Sequence, residues 1–166
     1  MLFRSNPVTQ SGTYTLPESQ LDRFLMRIEL GYPGPAAERE LFLNRNLAPD
    51  PESLRACLNP QQLQEIRAQA EQVHASDNLL DYLQRIVAYT RSSAEFAYGL
   101  SPRGALSLLR SARTWAIMYG REHIIPEDIQ AVLPAVAGHR LVPTRDFAGD
   151  SGALVRNILA NVDVIG

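Results

Sequence analysis

Gly31-Tyr32-Pro33-Gly34-Pro35 packs two glycines and two prolines into five residues, and no helix or strand can run through it. It divides two kinds of apolar pattern. Before it, over Phe24–Leu30, Met26, Ile28 and Leu30 alternate with Arg27 and Glu29, which is the period of a half-buried strand. Further upstream, Met1 to Ser5 reads as the end of a strand closed by Asn6-Pro7. Val8 to Thr15 reads as a polar loop, and Leu16 to Asp22 as a short helix with Pro17 and Glu18 in its first turn. One or two strands without partners are not stable alone. Residues 1–34 are therefore expected to be the edge of a sheet, either disordered or packed against another copy of the chain. A domain boundary is expected at 34/35.

After Pro35 the apolar spacing becomes three and four. Ala36 to Asn46 reads as a helix with Leu41 and Phe42 facing inward. Asn59 is an N-cap with Pro60 behind it, followed by Leu63, Ile66, Ala70 and Val73. Ser76 or Asp77 caps a helix lined by Leu79, Leu80, Leu83, Ile86, Val87 and Thr90, and Ser92 to Gly99 connects it to the next. Ser101 and Pro102 start a helix that runs to about Tyr119. Its apolar stripe is Ala105, Leu108, Leu109, Ala112, Trp115 and Ala116, with Arg103, Ser107, Arg110 and Thr114 opposite. Ile124 and Ile125 suggest a short extended piece. Pro126 opens a helix with Ile129, Val132 and Leu133 inward, expected to end or kink at Pro134 and so to leave Val136 beyond it. A loop over 138–149 and a helix from Ser151 to Val162 complete the chain. The fold class is mainly α, a helical bundle.

Composition removes several chemistries. All 16 basic residues are arginine, so a Schiff-base lysine, a Ser–Lys dyad and the lysine of a phosphate-binding P-loop are all excluded from this sequence. A net charge of −2 argues against general nucleic-acid binding. Cys57, the single cysteine, lies between Ala56 and Leu58 and reads as an inert buried thiol. His74, His123 and His139 lack metal-ligand spacing, so no metal site is expected. Gly99-Leu100-Ser101-Pro102-Arg103 looks like half of a nucleophile elbow, but Pro102 has no N–H to offer an oxyanion. The absence of a secretory signal and of an apolar run near 18 residues gives a cytoplasmic reading with no membrane span.

Two arginines stand out. Arg103 sits in the first turn of its helix, where a cation opposes the helix dipole. Either it leans into solvent, or it and the helix end together face an anion such as phosphate. Arg23 is either a surface arginine paired with Asp22 or Glu18, or one aimed at the phosphate of a neighbouring molecule.

Asn6-Pro7, Gly12-Thr13-Tyr14, the block Leu16 to Phe24 and Gly31-Tyr32-Pro33 resemble, in order, the second half of an AAA+ ATPase core of the MoxR family. Asp81-Tyr82, Ile86-Val87, Thr90-Arg91, Gly99 to Arg103, Ile125 to Ile129 and His139-Arg140 resemble that family's helical lid, and Ile158 to Val164 resembles its C-terminal end. The resemblance implies a helical-bundle AAA+ lid domain over 35–166, preceded over 1–34 by a short remnant of the α/β ATPase core. It implies that Asn6 is the sensor-1 residue orienting the attacking water, that Arg23 is an arginine finger, and that Arg103 is the sensor-2 residue binding the nucleotide. It also implies ATP and Mg2+ in the intact protein, a homo-oligomeric ring, often hexameric, and chaperone-like remodelling of partner proteins, frequently with a von Willebrand factor A-type partner. Walker A and B residues are missing from the sequence. The chain is therefore expected to be a C-terminal fragment that neither hydrolyses ATP nor binds it tightly on its own. Two other readings stay open: a non-enzymatic helical protein-interaction module, and a helical DNA-binding domain using Arg103, Arg110 and Arg113.

Overall fold

A computed structural model describes residues 17–43, 53–144 and 151–165. In chain order the elements are α1 (Glu18–Leu21), α2 (Pro35–Leu43), α3 (Pro60–Gln72), α4 (Asp77–Ser92), β1 (Phe96–Tyr98), α5 (Pro102–Met118), α6 (Pro126–Ala137), β2 (Val142–Pro143) and α7 (Ser151–Asn161). The mainly helical expectation holds. The described residues fall into two compact units. One contains the residues up to Arg27 together with those from Gln69 onward; the other is Ile28–Ala68.

The first unit has a continuous core. Leu79, Leu83, Ile86 and Val87 of α4, Leu108, Ala112 and Ala116 of α5, Ile129, Leu133 and Val136 of α6, and Leu154 and Ile158 of α7 are all buried. These are the inward faces that helical spacing predicts. Burying a leucine or isoleucine contributes about 1.5–3 kcal/mol, so this set dominates the stability of the unit. α5 packs chiefly on α6. Antiparallel β1 and β2, paired through Phe96 with Pro143 and Tyr98 with Val142, tie the connector after α4 to the chain after α6. An isolated parallel bridge between His74 and His123 joins the chain before α4 to that before α6.

In the second unit none of the described residues is buried. Asn59 caps α3 as expected: its Oδ1 accepts from Gln62 N–H at 2.8 Å, and its own N–H donates to Gln62 Oε1 at 2.9 Å. Leu41 and Phe42, expected inward, are exposed instead, because nothing among the described residues covers that face of α2. Cys57 is likewise exposed rather than buried.

Two further expectations are corrected. Phe24–Leu30 forms no strand, since no described segment supplies a ladder for its alternating residues. Its first part is anchored to α6, where Arg27 N–H donates to Ala135 O at 2.8 Å. Pro134 does not end α6, which continues through Val136 to Ala137. A proline removes one helical hydrogen bond. Here that loss falls in the last turn, where Val136 and Ala137 are fully buried and Gly138 N–H still donates to Pro134 O.

Candidate functional site

The site is assembled around the start of α5. Gly99 lies so close to the end of α4 that a Cβ there would stand 2.4 Å from Thr90 O. That close approach lets Leu100 N–H donate to Thr90 Oγ1 at 3.0 Å, while Arg91 Nε donates to Leu100 O at 2.9 Å. The chain is thereby fixed just ahead of Ser101. Ser101 Oγ accepts from Gly104 N–H at 3.0 Å and caps the helix, and Pro102 occupies its first position. Arg103 follows, its side chain 58% exposed.

Arg103 is not alone. Its Nη1 lies 3.4 Å from Asp22 Oδ2. The Ser101 hydroxyl donates to the same carboxylate at 2.9 Å, and Arg140 Nε donates to Asp22 Oδ1 at 3.1 Å. Asp22 lies just after α1, so this one carboxylate joins α1, the N-terminus of α5 and the chain beyond α6. The Arg140 side chain is 2% exposed. Its remaining N–H groups donate to the carbonyls of Leu25 at 3.1 Å, Asp22 at 3.3 Å, Phe24 and Val136. Burial pulls the Arg140 pKa below the usual arginine value, and the bond to Asp22 works against that shift. Gly104 makes room for this guanidinium: a Cβ there would lie 3.1 Å from Arg140 Cδ.

His139 extends the anchor, with Nε2 3.1 Å from Phe24 O. Burial and then the charge of Arg140 push its pKa down. A second ion pair is structural. Arg121 grips Asp128 with two bonds of 2.5 Å, and Asp128 Oδ2 also accepts from Ile125 N–H at 2.9 Å at the start of α6. Burial alone would raise the Asp128 pKa; the bonds from Arg121 and Ile125 outweigh it, and the net direction is down.

Of the residues singled out by the sequence, Arg103 stands at this site. Arg23 directly follows Asp22 and is exposed, and among the described residues its side chain pairs with neither Asp22 nor Glu18. Asn6 lies outside the described residues. Among the described residues no cluster of three metal-ligating side chains occurs, and no helix is long and apolar enough to cross a membrane. The exposed guanidinium of Arg103 at a helix N-terminus fits phosphate oxygens and does not fit a magnesium ion. Asp22 enters from the sequence only as a candidate partner of Arg23, and Arg140 only within the lid resemblance; their pairing with each other is not visible there. No local signal marks the pair, because the two residues lie 118 positions apart.

Residues 88–158, which hold α5, α6, Arg103 and Arg140, match the AAA lid domain family. The chain is 34% identical to the YeaC protein of Bacillus subtilis over 99% of this chain and 52% of that protein. It is 38% identical to the chaperone MoxR1 of Mycobacterium tuberculosis, over 90% of this chain and 42% of that one. The chain carries an AAA lid domain and is similar to MoxR proteins. Its fold also matches the crystal structure of a candidate ATPase from Cytophaga hutchinsonii, with a TM-score of 0.82 and 29% identity over 95% of this chain and 52% of the other. The chain spans about half the length of the curated relatives it matches.

Proposed function

We propose that this chain is the lid region of a MoxR-type AAA+ ATPase and couples ATP binding and hydrolysis to chaperone-like remodelling of partner proteins. The observation that carries the reading is Arg103: a largely exposed cation in the first turn of the 17-residue α5, inside the segment matching the AAA lid. A cation there is unfavourable by about 0.3–1 kcal/mol unless an anion faces it, and Asp22 meets it only through one 3.4 Å contact on a carboxylate shared with Ser101 and Arg140. Phosphate is the anion that both the helix end and the planar fork of Arg103 recognise. In this reading Arg103 is sensor 2 and responds to the γ-phosphate by moving the lid. Arg23 is the arginine finger directed at the neighbouring subunit of a cytoplasmic homo-oligomeric ring, hexameric in the first instance, and Asn6 is sensor 1. The lid begins near Pro35, after a remnant of the core. ATP and Mg2+ are held chiefly by Walker residues outside this sequence, which supplies phosphate-facing arginines and no magnesium ligands. A von Willebrand factor A-type protein is the partner class to test first.

Subunit mixing tests the ring and the finger together. The material is a full-length protein joining this chain to the nucleotide-binding half. Arg23→Ala is expected to lower turnover by about 10^3-fold, the usual worth of an arginine finger. Mixing that variant with subunits lacking the Walker lysine should restore part of the activity, since each supplies what the other lacks. Full turnover by the Arg23→Ala protein would contradict the finger assignment.

A second reading has one observation in its favour. Ile28, Leu30 and Phe42 are all strongly exposed in the Ile28–Ala68 unit, as a protein-interaction module would require. It separates from the ATPase reading because it predicts no dependence of any activity on Arg103.

A further inference from the structure

Asp22 accepts from three donors, and the three are not alike. Arg140 is buried, and its other N–H groups lie on four backbone carbonyls, so leaving Asp22 would strand donors without water. Ser101 is fixed as the cap of α5. Arg103 is held by one contact of 3.4 Å and is 58% exposed, which makes it the donor that can leave. A phosphate offers it a stronger bidentate partner than the edge of a shared carboxylate.

Building on the sensor-2 reading of Arg103, we propose that Asp22 is a positioning residue, the counter-ion that holds Arg103 while no phosphate engages it. Arg140 is the fixed cation that keeps Asp22 in place when Arg103 departs. Arg103 is thus kept ordered at the mouth of the site rather than free in solvent, and every phosphate that binds must compete with Asp22. The arrangement also joins the two functional arginines, because the residue that holds Arg103 is the chain neighbour of Arg23.

The test is a titration of the 166-residue chain with inorganic tripolyphosphate at low salt, following the arginine Nε–H resonances by NMR. In the wild-type chain the Arg103 resonance should move and the Arg140 resonance should stay. Asp22→Asn should lower the tripolyphosphate Kd about two- to fivefold, the range set by an exposed ion pair. Glu18→Gln removes the same charge from α1, where no ion pair to Arg103 exists among the described residues, and should leave the Kd unchanged. The Asp22→Asn gain should vanish in an Arg103→Ala background. An unchanged or weaker Kd in Asp22→Asn, or an equal gain from Glu18→Gln, overturns the holding role while leaving Arg103 as the phosphate ligand. Wild-type binding by Arg103→Ala overturns the phosphate reading itself. If Asp22→Asn fails to fold, the wild-type titration decides, and joint movement of the Arg103 and Arg140 resonances overturns the proposal.

Discussion

In α4, Leu79, Leu83, Ile86 and Val87 are buried, whereas in α3 Leu63 is 41% exposed and no residue is buried. Both helices carry apolar residues at spacings of three and four, and both begin with a side-chain cap. The difference lies outside the helices. α4 meets α5, α6 and α7, each offering its own apolar stripe, while Ile28–Ala68 has no buried residue among those described. Periodicity reports that a stretch can form a helix with one apolar face. Whether that face becomes core depends on a second surface, and most of a helix's stability in a protein comes from that surface.

The sharpest way to break this contrast is to truncate one leucine in each region. Leu133→Ala in α6, where the side chain is fully buried, should cost about 2–5 kcal/mol. Leu41→Ala in α2, at 55% exposure, should stay within about 0.5 kcal/mol. Urea unfolding of the two variants measures both, and equal losses would erase the distinction.

Arg140→Gln comes next. It leaves Asp22 without its buried partner and the surrounding carbonyls without donors. The expected loss is about 2–3 kcal/mol, with slower proteolysis of wild type than of variant at residues 22–27.

A smaller loss should appear on acidification. The pKa of His139 is lowered in the folded state, so the unfolded chain binds the proton first. Stability is then complete above about pH 6.5, the ordinary histidine value, and falls as pH drops below it. His139→Gln should flatten that slope in thermal melts between pH 7.5 and 5. Asp128, also lowered, adds its own loss only further down, below the ordinary carboxylate range near pH 4.

A small effect should also come from Arg103→Ala, whose ion pair is exposed and worth about 0–1 kcal/mol. A melting temperature near that of wild type separates a residue kept for binding from one kept for packing.

Much of the α4–α7 unit is legible in the sequence because local rules and packing agree there. Ser101 and Pro102 start α5 where an N-cap and a first-turn proline should, and Leu108, Ala112 and Ala116 fall on its buried face. β1 and β2 are not legible: three and two residues are too short to display a period of two. Pro134 misleads because the helix rule counts the lost hydrogen bond but not the burial of Val136 and Ala137. Met26 to Leu30 misleads in the opposite sense, since alternation describes a strand's faces but supplies no partner edge. At the site, Arg103 is visible as a charge in the wrong place on a helix. Asp22 and Arg140 are not, because their bond joins residues 118 positions apart.

Whether Arg103 senses the nucleotide phosphate is decided by magnesium-dependent ATP turnover of a full-length protein that carries this chain, compared with its Arg103→Ala variant. A sensing arginine should give the variant a kcat lower by about a hundredfold, as for loss of one positioned donor to developing charge, with the melting temperature nearly unchanged. Equal turnover by the two proteins would contradict it.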